Sequence, residues 1–340
     1  MTIKVACLGA GYFSRFHHDG WDRLADAELV GVADSDWAKA QATGHPAFQN
    51  LASMLEATRP DILDIIVPPS AHAAAIEMAL AFGIKTIICQ KPFCGTIEVA
   101  SAMVAKADAA GARLIVHENF RFQPWFRAIK SAIDAGDIGD PLQGTFRLRP
   151  GDGQGPDAYL ERQAYFQKMP RFLVHETGVH YIDTFRFLFG DIAEVFADLH
   201  QDNPTIAGED AGLISFRHQN GPRTLLDANR LLDHAAENTR CTMGEGLFEG
   251  TQGTLTLLGD GSVHLRRFGT IITQEILPKS TTSAFGGDCT YHLQAHVLRH
   301  LLENVPLENV ASTYVYVMKV EAAIYESARS GQKVNVNDQQ

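Results

Sequence analysis

The strongest constraint on the fold is an alternation of short apolar runs and alanine-rich segments over the first third of the 340 residues. The runs are rich in β-branched residues, and the segments between them have helical apolar spacing and stop at glycines. Strands that alternate with helices form a parallel sheet with helices on both faces. We therefore predict a doubly wound α/β domain over residues 1–121, with strands in IKVACLGAG, AELVGVAD, PDILDIIVPP, IKTIICQKP and ARLIVHENF.

The pattern changes after Phe120. A helix, an extended run, a glycine-rich loop and the helical segment RFLVHETGVHYIDTFRFLFG come first, and a group of strand-like runs follows. Strands that are grouped, and that do not alternate with helices, favour an antiparallel sheet with a few helices on one face. We predict that residues 122–340 form an α+β domain with a large, mostly antiparallel sheet.

Length and charge restrict the class of protein. A chain of 340 residues is longer than most single cores, and its net charge of −11 disfavours nucleic acid or an anionic membrane surface as a partner. No apolar run reaches the length of a membrane span. The five cysteines include no C-x-x-C pair, which favours a reducing compartment. We expect a cytoplasmic protein.

A glycine pair, Gly9 and Gly11, follows the first predicted strand. Such a turn lets the backbone approach a pyrophosphate, and the next helix supplies N–H donors and a positive dipole. Ser14 occupies the third glycine position of the usual fingerprint, so the motif alone is equally compatible with a plain tight turn. Tyr12 and Phe13, which lie between these positions, are predicted to contact the same cofactor.

Asp34 ends the second strand, where a carboxylate can accept hydrogen bonds from a ribose diol. The first cation after it is Lys39, so a 2′-phosphate would meet carboxylates and no guanidinium. The pattern predicts NAD and disfavours NADP. The alternative is an aspartate that serves only a turn.

Polar residues also follow the later strands, at the edge where open parallel sheets bind ligands. Candidate cofactor contacts there are Pro68, Ser70, His72, Gln90, Lys91 and Asn119. Lys91 directly precedes a proline, which ends a normal strand ladder. It is either a solvated strand end or an ammonium group held on a rigid platform.

In the second domain, Glu176 and His180 are four residues apart and therefore share one face of a predicted helix. Asp183 extends that face. For a histidine in a helix, the ordinary alternative is a packing role.

These motifs resemble those of the glucose–fructose oxidoreductase, inositol dehydrogenase and MocA (Gfo/Idh/MocA) family over nearly the whole chain. The matches are the glycine turn, VADSD around Asp34, PPSAH at 68–72, the family's E-K-P element as Gln90-Lys91-Pro92, and its G-x-H-x-x-D helix as Gly178, His180 and Asp183. The resemblance implies a Rossmann domain followed by a domain with a large antiparallel sheet. It also implicates the lysine of the E-K-P element in catalysis.

The implied reaction is NAD-dependent oxidation of a sugar hydroxyl. Lys91 would stabilise the alkoxide, His180 would act as general base, and Glu176 would orient or charge-balance one of them. Two positions depart from the family pattern, because Gln90 replaces a glutamate and Glu176 replaces an aspartate. Both changes put pKa values inferred from the family in doubt.

Candidate substrate contacts are the polar and aromatic residues near the predicted site. Besides Lys91, Glu176 and His180 they are Asn119, Arg121, Trp125, Asp152, Gln154, Arg162 and Arg171. Carboxylates, amides, arginines and aromatic rings suit a polyhydroxylated ligand, although the glycine-rich loop that carries Asp152 and Gln154 is also typical of a solvated surface. These segments are similar to aldose dehydrogenases, D-apiose dehydrogenases among them, which implies oxidation of an aldose to a lactone.

Other functions remain open from the sequence. They are a polyol or inositol-type dehydrogenase, an NAD-retaining glycosidase or isomerase, and a non-catalytic NAD-sensing regulator. We expect a homo-oligomer, either a dimer or a tetramer. One face of an open antiparallel sheet would otherwise be exposed to solvent, and a second copy of the chain can pack against it. No metal is predicted. We assign no role to His17, His18, His292, His296 and His300.

Overall fold

The computed structural model describes residues 2–338. The chain forms two compact units, one comprising Met1–Asn119 with Thr290–Tyr316 and the other Phe120–Cys289 with Val317–Gln340. Residues 290–316, which we predicted to lie in the second domain, therefore belong to the first unit.

Strands and helices alternate through the first unit. Its strands are β1 (Ile3–Leu8), β2 (Ala27–Ala33), β3 (Ala47–Phe48), β4 (Ile62–Ile65), β5 (Thr86–Gln90) and β6 (Arg113–His117). Its helices in this part of the chain are α1 (Ser14–Arg23), α2 (Trp37–Ala42), α3 (Leu51–Thr58), α4 (Pro69–Ala81) and α5 (Ile97–Ala109).

The six strands form one parallel sheet in the order β3-β2-β1-β4-β5-β6. This confirms the predicted doubly wound sheet. The strand order reverses between β1 and β4, and ligands bind at such a reversal, beyond the carboxyl ends of the strands. Every residue of β5 is buried, as expected for a strand covered on both faces.

Side-chain caps fix the starts of three helices. Asp36 accepts the N–H of Lys39 at α2, Asn50 accepts that of Ser53 at α3, and Thr96 caps α5. Each cap satisfies a backbone donor that has no partner within the helix. These capping residues therefore determine where the crossover helices begin.

The segment that returns to the first unit includes most of α9 (Cys289–Glu303) and the start of α10 (Ala311–Ser330). Gln294 on α9 donates to the carbonyl of His17 on α1 at 3.0 Å. A Cβ on Gly20 would lie 2.0 Å from Gln294 Oε1, so the glycine within α1 permits this close approach. The side-chain amide of Asn309 donates to the Glu118 carbonyl beyond β6.

The second unit contains a nine-stranded sheet in the order β14-β13-β12-β11-β7-β10-β9-β8-β15. Only the β7–β10 pair is parallel, which confirms the predicted, mostly antiparallel sheet. The strands are β7 (Pro141–Leu148), β8 (Ile192–His200), β9 (Ala211–His218), β10 (Arg223–Asn229), β11 (Gly244–Gly250), β12 (Gly253–Leu257), β13 (Val263–Arg267), β14 (Thr273–Leu277) and β15 (Val334–Asn335).

The helices that lie wholly in this unit are α6 (Pro124–Asp134), α7 (Leu160–Gln163) and α8 (Val179–Phe189), and α10 belongs to it from Val317 onward. Short 3₁₀ segments lie at Phe120–Phe122, Ala164–Lys168, Phe285–Asp288 and Val336–Asp338. A π-helical turn, Leu173–Gly178, precedes α8, whereas the sequence predicted one continuous helix. Such turns are rare and often lie at functional sites.

The described chain lacks two features. Within residues 2–338 no helix is long and apolar enough to cross a bilayer. None of the cysteines in that range forms a disulfide, and all five are buried.

Candidate active site

The glycine turn at the end of β1 has a geometry that only glycine fits. Gly9 has φ +119°, and a Cβ there would lie 2.3 Å from the carbonyl oxygen of Ile66, just beyond β4. Gly11 faces open space, with no atom within 4 Å of its Cβ position. The backbone therefore turns tightly at the reversal of strand order and leaves room beside Gly11 for a ligand.

Ser14 starts α1 at the third glycine position. It is fully buried, and its hydroxyl donates to the Gly11 carbonyl at 2.6 Å. The serine thus closes the turn with a hydrogen bond. The predicted contacts Tyr12 and Phe13 are partly exposed beside it; Tyr12 carries the guanidinium of Arg15 on its ring at 4.2 Å.

The Asp34 carboxylate is fixed at the end of β2 by two backbone donors. Ala10 N–H donates to Oδ2 and Asp36 N–H donates to Oδ1, each at 2.8 Å. Lys39, the nearest cation along the chain, pairs with Asp36 at 3.4 Å. The close-packed turn, the start of α1 and this partly exposed carboxylate fit a dinucleotide that has a free ribose diol.

The residues predicted after β4 differ in accessibility. Pro68 and Ser70 are exposed at the start of α4. His72 is fully buried, and Nε2 donates to the Val67 carbonyl at 2.8 Å while Nδ1 accepts the Cys94 N–H at 3.3 Å. Burial lowers the pKa of His72 to about 4. His72 is a neutral link between the β4 and β5 loops, and both of its nitrogens are already engaged.

Lys91 follows β5 directly and is partly buried, and its peptide bond to Pro92 is cis. The N–H of Lys91 donates to Gln90 Oε1 at 2.8 Å. Asn119, at the end of this part of the unit, is 2% exposed and donates to Thr290 Oγ1 at 3.3 Å. The structure thus places Lys91 at the carboxyl edge of the sheet and leaves the Asn119 side chain largely within the fold.

In the second unit, Glu176 lies in the π-helical turn beside a buried arginine. Thr177 donates its hydroxyl to Glu176 Oε2 at 2.6 Å, and Arg230 Nη1 lies 3.5 Å from the same oxygen. Arg230 is 2% exposed. Glu176 is therefore held by a cation that sequence reasoning did not identify.

Asp152 and Arg162, predicted as substrate contacts, are part of the same cluster. Arg230 donates to both carboxylate oxygens of Asp152, at 3.1 and 2.8 Å, and Arg162 also donates to Asp152. Burial alone would raise the pKa of Asp152, but the two guanidinium groups outweigh it and hold that pKa below its ordinary value. The neighbouring carboxylates overcome burial and raise the pKa of Arg230. The cluster is a charged, internally paired support for the π-helical turn.

His180 lies in the first turn of α8 and is 6% exposed. Its ring stacks on Phe120 with centroids 3.9 Å apart and planes 3° from parallel. This packing fixes the plane of the imidazole.

Arg121, predicted as a substrate contact, is paired with Asp183 of the G-x-H-x-x-D helix. Arg121 forms a bidentate ion pair with Asp183, at 2.7 and 2.5 Å. Asp183 therefore engages the Nε–H and an Nη2 N–H of Arg121, one of the donor pairs with which the guanidinium could bind a substrate carboxylate. The two residues lock α8 to the segment before α6.

Three further predicted substrate contacts lie elsewhere in this unit. Trp125 is 1% exposed and donates to Gln123 Oε1 at 2.7 Å, so it is a core residue and does not present a ring face. Gln154 is exposed and donates to the Leu231 carbonyl. Arg171 is exposed with its guanidinium over the Tyr325 ring.

Sequence reasoning also missed Tyr165. The residue is 60% exposed. Desolvation and the Glu176 charge raise the pKa of Tyr165. An exposed aromatic ring can stack on the C–H face of a sugar. The cue in the sequence was an aromatic residue in the loop before the predicted helix.

Metal ligation has no candidate in the described part of the chain. Among residues 2–338, no group of three or more histidine, cysteine, aspartate or glutamate side chains is arranged to hold a metal ion.

Comparison with protein families matches both parts of the chain. The GFO/IDH/MocA model described as an oxidoreductase family with an NAD-binding Rossmann fold matches residues 3–118. The model of the GFO/IDH/MocA C-terminal domain matches residues 126–256.

Individual proteins are similar over much or all of the chain. A D-apiose dehydrogenase from Paraburkholderia graminis is 32% identical, over 98% of this chain and 90% of the relative. An inositol 2-dehydrogenase from Rhizobium meliloti is 31% identical over 56% of each chain. The crystal structure of an oxidoreductase from Agrobacterium radiobacter, in complex with NAD+, L-tartaric acid and magnesium, is similar with a TM-score of 0.91 at 27% identity, over 100% of both chains.

Proposed function

This chain belongs to the GFO/IDH/MocA family of NAD-binding oxidoreductases, and we propose that it oxidises a hydroxyl group of a sugar. The Gly9 turn, the start of α1 and Asp34 would hold the NAD. When bound, NAD accepts the hydride that leaves the sugar carbon. The remaining chemistry belongs to side chains of the protein.

One observation carries the proposed reaction. Lys91 follows β5, and the glycine turn follows β1, so both lie at the carboxyl edge of one parallel sheet. A cation held on a rigid strand end can stabilise an alkoxide that develops beside the cofactor. This is the role that we propose for Lys91.

The hydroxyl proton needs an acceptor. We assign it to His180, because an imidazole can be neutral near pH 7 and this ring is held in one plane by Phe120. Glu176, which the Arg230 cluster fixes, would orient His180 or balance its charge when it is protonated. The proposal thus assigns stabilisation of the alkoxide to Lys91 and removal of the proton to His180.

The substrate that we propose is an aldose, D-apiose or a similar pentose, oxidised at the anomeric carbon to a lactone. The name of the relative that is 32% identical over 98% of the chain supports it. The exposed Tyr165 ring and the Glu176 carboxylate suit a sugar, because a ring stacks on C–H groups while a carboxylate accepts hydroxyl hydrogen bonds. Inositol oxidation is the alternative that the second relative favours.

We also propose that the chain self-associates through the exposed face of the nine-stranded sheet. Strand pairing places Phe196, Leu225 and Leu247 in one row across this face, with Ser215 and Thr145 between them. Phe196 and Leu247 are 40% and 38% exposed. A row of apolar side chains that crosses a sheet favours a second copy as its cover.

The experiment is NADH production from a panel of aldoses and polyols. We expect steady turnover with an aldose. A Lys91→Ala variant should lose turnover by about a hundredfold to a thousandfold, while NADH titration shows unchanged binding. Lys106→Ala, which removes an exposed lysine of the same unit, is the matched control.

The His180→Asn variant tests the base. Its pH–rate profile should lose the acidic limb of the native enzyme. Near-native turnover of Lys91→Ala, or retention of that limb in His180→Asn, would contradict the respective assignment. If no member of the panel gives net NADH, sugar oxidation with free NAD is the wrong reaction.

A further inference from the structure

A series of buried hydrogen bonds ends at the main chain of Lys91. Trp21 Nε1 and His17 Nδ1 each lie 2.8 Å from Asp64 Oδ2. His17 Nε2 lies 2.9 Å from Gln90 Nε2, and Gln90 Oε1 accepts the Lys91 N–H at 2.8 Å. The side chains of Asp64 and His17 are fully buried, and Gln90 is 7% exposed.

The direction of every hydrogen bond in this series is determined. The Lys91 N–H can only donate, so Gln90 turns its oxygen toward it and its amide nitrogen toward His17. An amide nitrogen cannot accept, so His17 Nε2 carries a lone pair and the proton is on Nδ1. That proton points to Asp64, which also receives the Trp21 N–H.

Asp64 ends the series as a carboxylate. Burial would raise its pKa, but the His17 contact and the Trp21 hydrogen bond outweigh burial and lower it. An ionised acceptor strengthens the hydrogen bonds that it receives. The donors at both ends thus allow only one tautomer of His17 and one orientation of Gln90.

A second histidine supports the same amide. His117 Nδ1 lies 3.5 Å from Gln90 Nε2, and the two imidazole rings are 4.1 Å apart and inclined by 36°. The amide of Gln90 is therefore enclosed by the two imidazoles. A side chain held in this way has little freedom to release the Lys91 N–H.

We propose that Asp64, His17 and Gln90 are positioning residues for Lys91. They hold the peptide that carries the Lys91 side chain, and His17 serves as a lone-pair acceptor in its Nδ1–H form. This inference depends on the catalytic role of Lys91 proposed above. It gives functions to a histidine and an aspartate to which the sequence assigned none.

The first test compares two substitutions of Gln90. Gln90→Leu removes both hydrogen bonds at similar size, and kcat should fall by about tenfold to a hundredfold, because small misplacements of a catalytic group have costs of that order. Gln90→Glu keeps an acceptor for the Lys91 N–H but turns a carboxylate oxygen toward the His17 lone pair, so it should recover only part of the lost kcat. Native kcat in Gln90→Leu would overturn the proposal.

The second test asks whether Gln90 acts through Lys91. In a Lys91→Ala background, Gln90→Leu should cause no further loss of kcat, although it lowers the melting temperature equally in both backgrounds. An equal fold-loss in both backgrounds would overturn the positioning role. Native turnover of Lys91→Ala alone would instead reject the catalytic role of Lys91, so the two failures are distinguishable.

The third test needs no change in activity or folding. Imidazole nitrogen NMR of the native protein should show His17 with Nδ1 protonated and Nε2 unprotonated, with the signals assigned by their loss in His17→Asn. A proton on Nε2 would reverse the hydrogen bond with Gln90 and overturn the proposed series.

Discussion

The neutral His72 link makes the stability of the first unit depend on pH in a defined window. Its Nε2–H donates to Val67 and its Nδ1 accepts from Cys94, so a proton on Nδ1 would face the Cys94 N–H. The folded unit therefore binds that proton only near pH 4, below the ordinary pKa of 6.5. The contribution of His72 to the free energy of unfolding is therefore fully present above pH 6.5, and it is lost as the pH falls toward 4.

The expected size follows from the two pKa values. The difference between the ordinary pKa of 6.5 and the folded pKa of about 4 corresponds to about 3 kcal/mol of unfolding free energy. About 2 kcal/mol of this is lost between about pH 7 and pH 5. His72→Asn removes the titration and keeps a side-chain oxygen near the position of Nδ1. The variant should be less stable at pH 7 by about 1–3 kcal/mol, but its free energy of unfolding should fall less steeply toward pH 5.

The assay is urea unfolding across this pH range, with hydrogen exchange of the α4 and β5 peptides to follow the first unit. His18, whose pKa is also lowered to about 4, mainly by burial, contributes an equal background in the native protein and the variant. His292→Asn, at an exposed histidine, is the matched control and should keep the native pH slope. The same slope in His72→Asn and the native protein would refute the reasoning.

Two further predictions concern the second unit. Arg230→Met should lower its free energy of unfolding by about 3–5 kcal/mol, because it leaves the partly buried Asp152 and Glu176 carboxylates without this buried cation. The matched control is Arg217→Met, at a partly exposed arginine. By the same urea unfolding it should cost below about 1 kcal/mol, and equal costs would contradict the role of the cluster. Leu247→Glu on the exposed sheet face should shift the sedimentation profile toward the monomer. The control Phe82→Glu, in the first unit, should leave the profile unchanged. A native profile for Leu247→Glu would exclude that face as the interface between copies of the chain.

The predictable part of the structure is the part that local sequence determines. The strand–helix alternation and the grouped strands gave both sheets, because burial imposes the spacing of apolar residues within each element. Strands β3 and β15 have two residues each, and β14 is largely exposed. None of the three has an apolar pattern long enough to detect.

The site was predictable where its residues follow predicted strands. Gly9 and Asp34 come directly after the first two strands, whose carboxyl ends lie at one edge of a parallel sheet, so their proximity follows from the strand pattern. By contrast, Gln90 meets His17 across 73 positions, Arg121 meets Asp183 across 62, and Arg230 meets Asp152 across 78. Spacing rules do not cover such separations, so the two arginines and His17 were assigned as ligands or surface groups, or were overlooked.

The return of residues 290–316 to the first unit affects how the protein is made. A nascent chain that has emerged as far as Asn119 has all six strands of the parallel sheet, but it lacks the amide of Gln294 that binds the His17 carbonyl and the amide of Asn309 that binds Glu118. At ordinary rates of translation those groups arrive tens of seconds later. The cofactor-binding unit is therefore begun first but completed only after most of the second unit has been synthesised. In the interval the surfaces of α1 and β6 that Gln294 and Asn309 later contact are open to a chaperone.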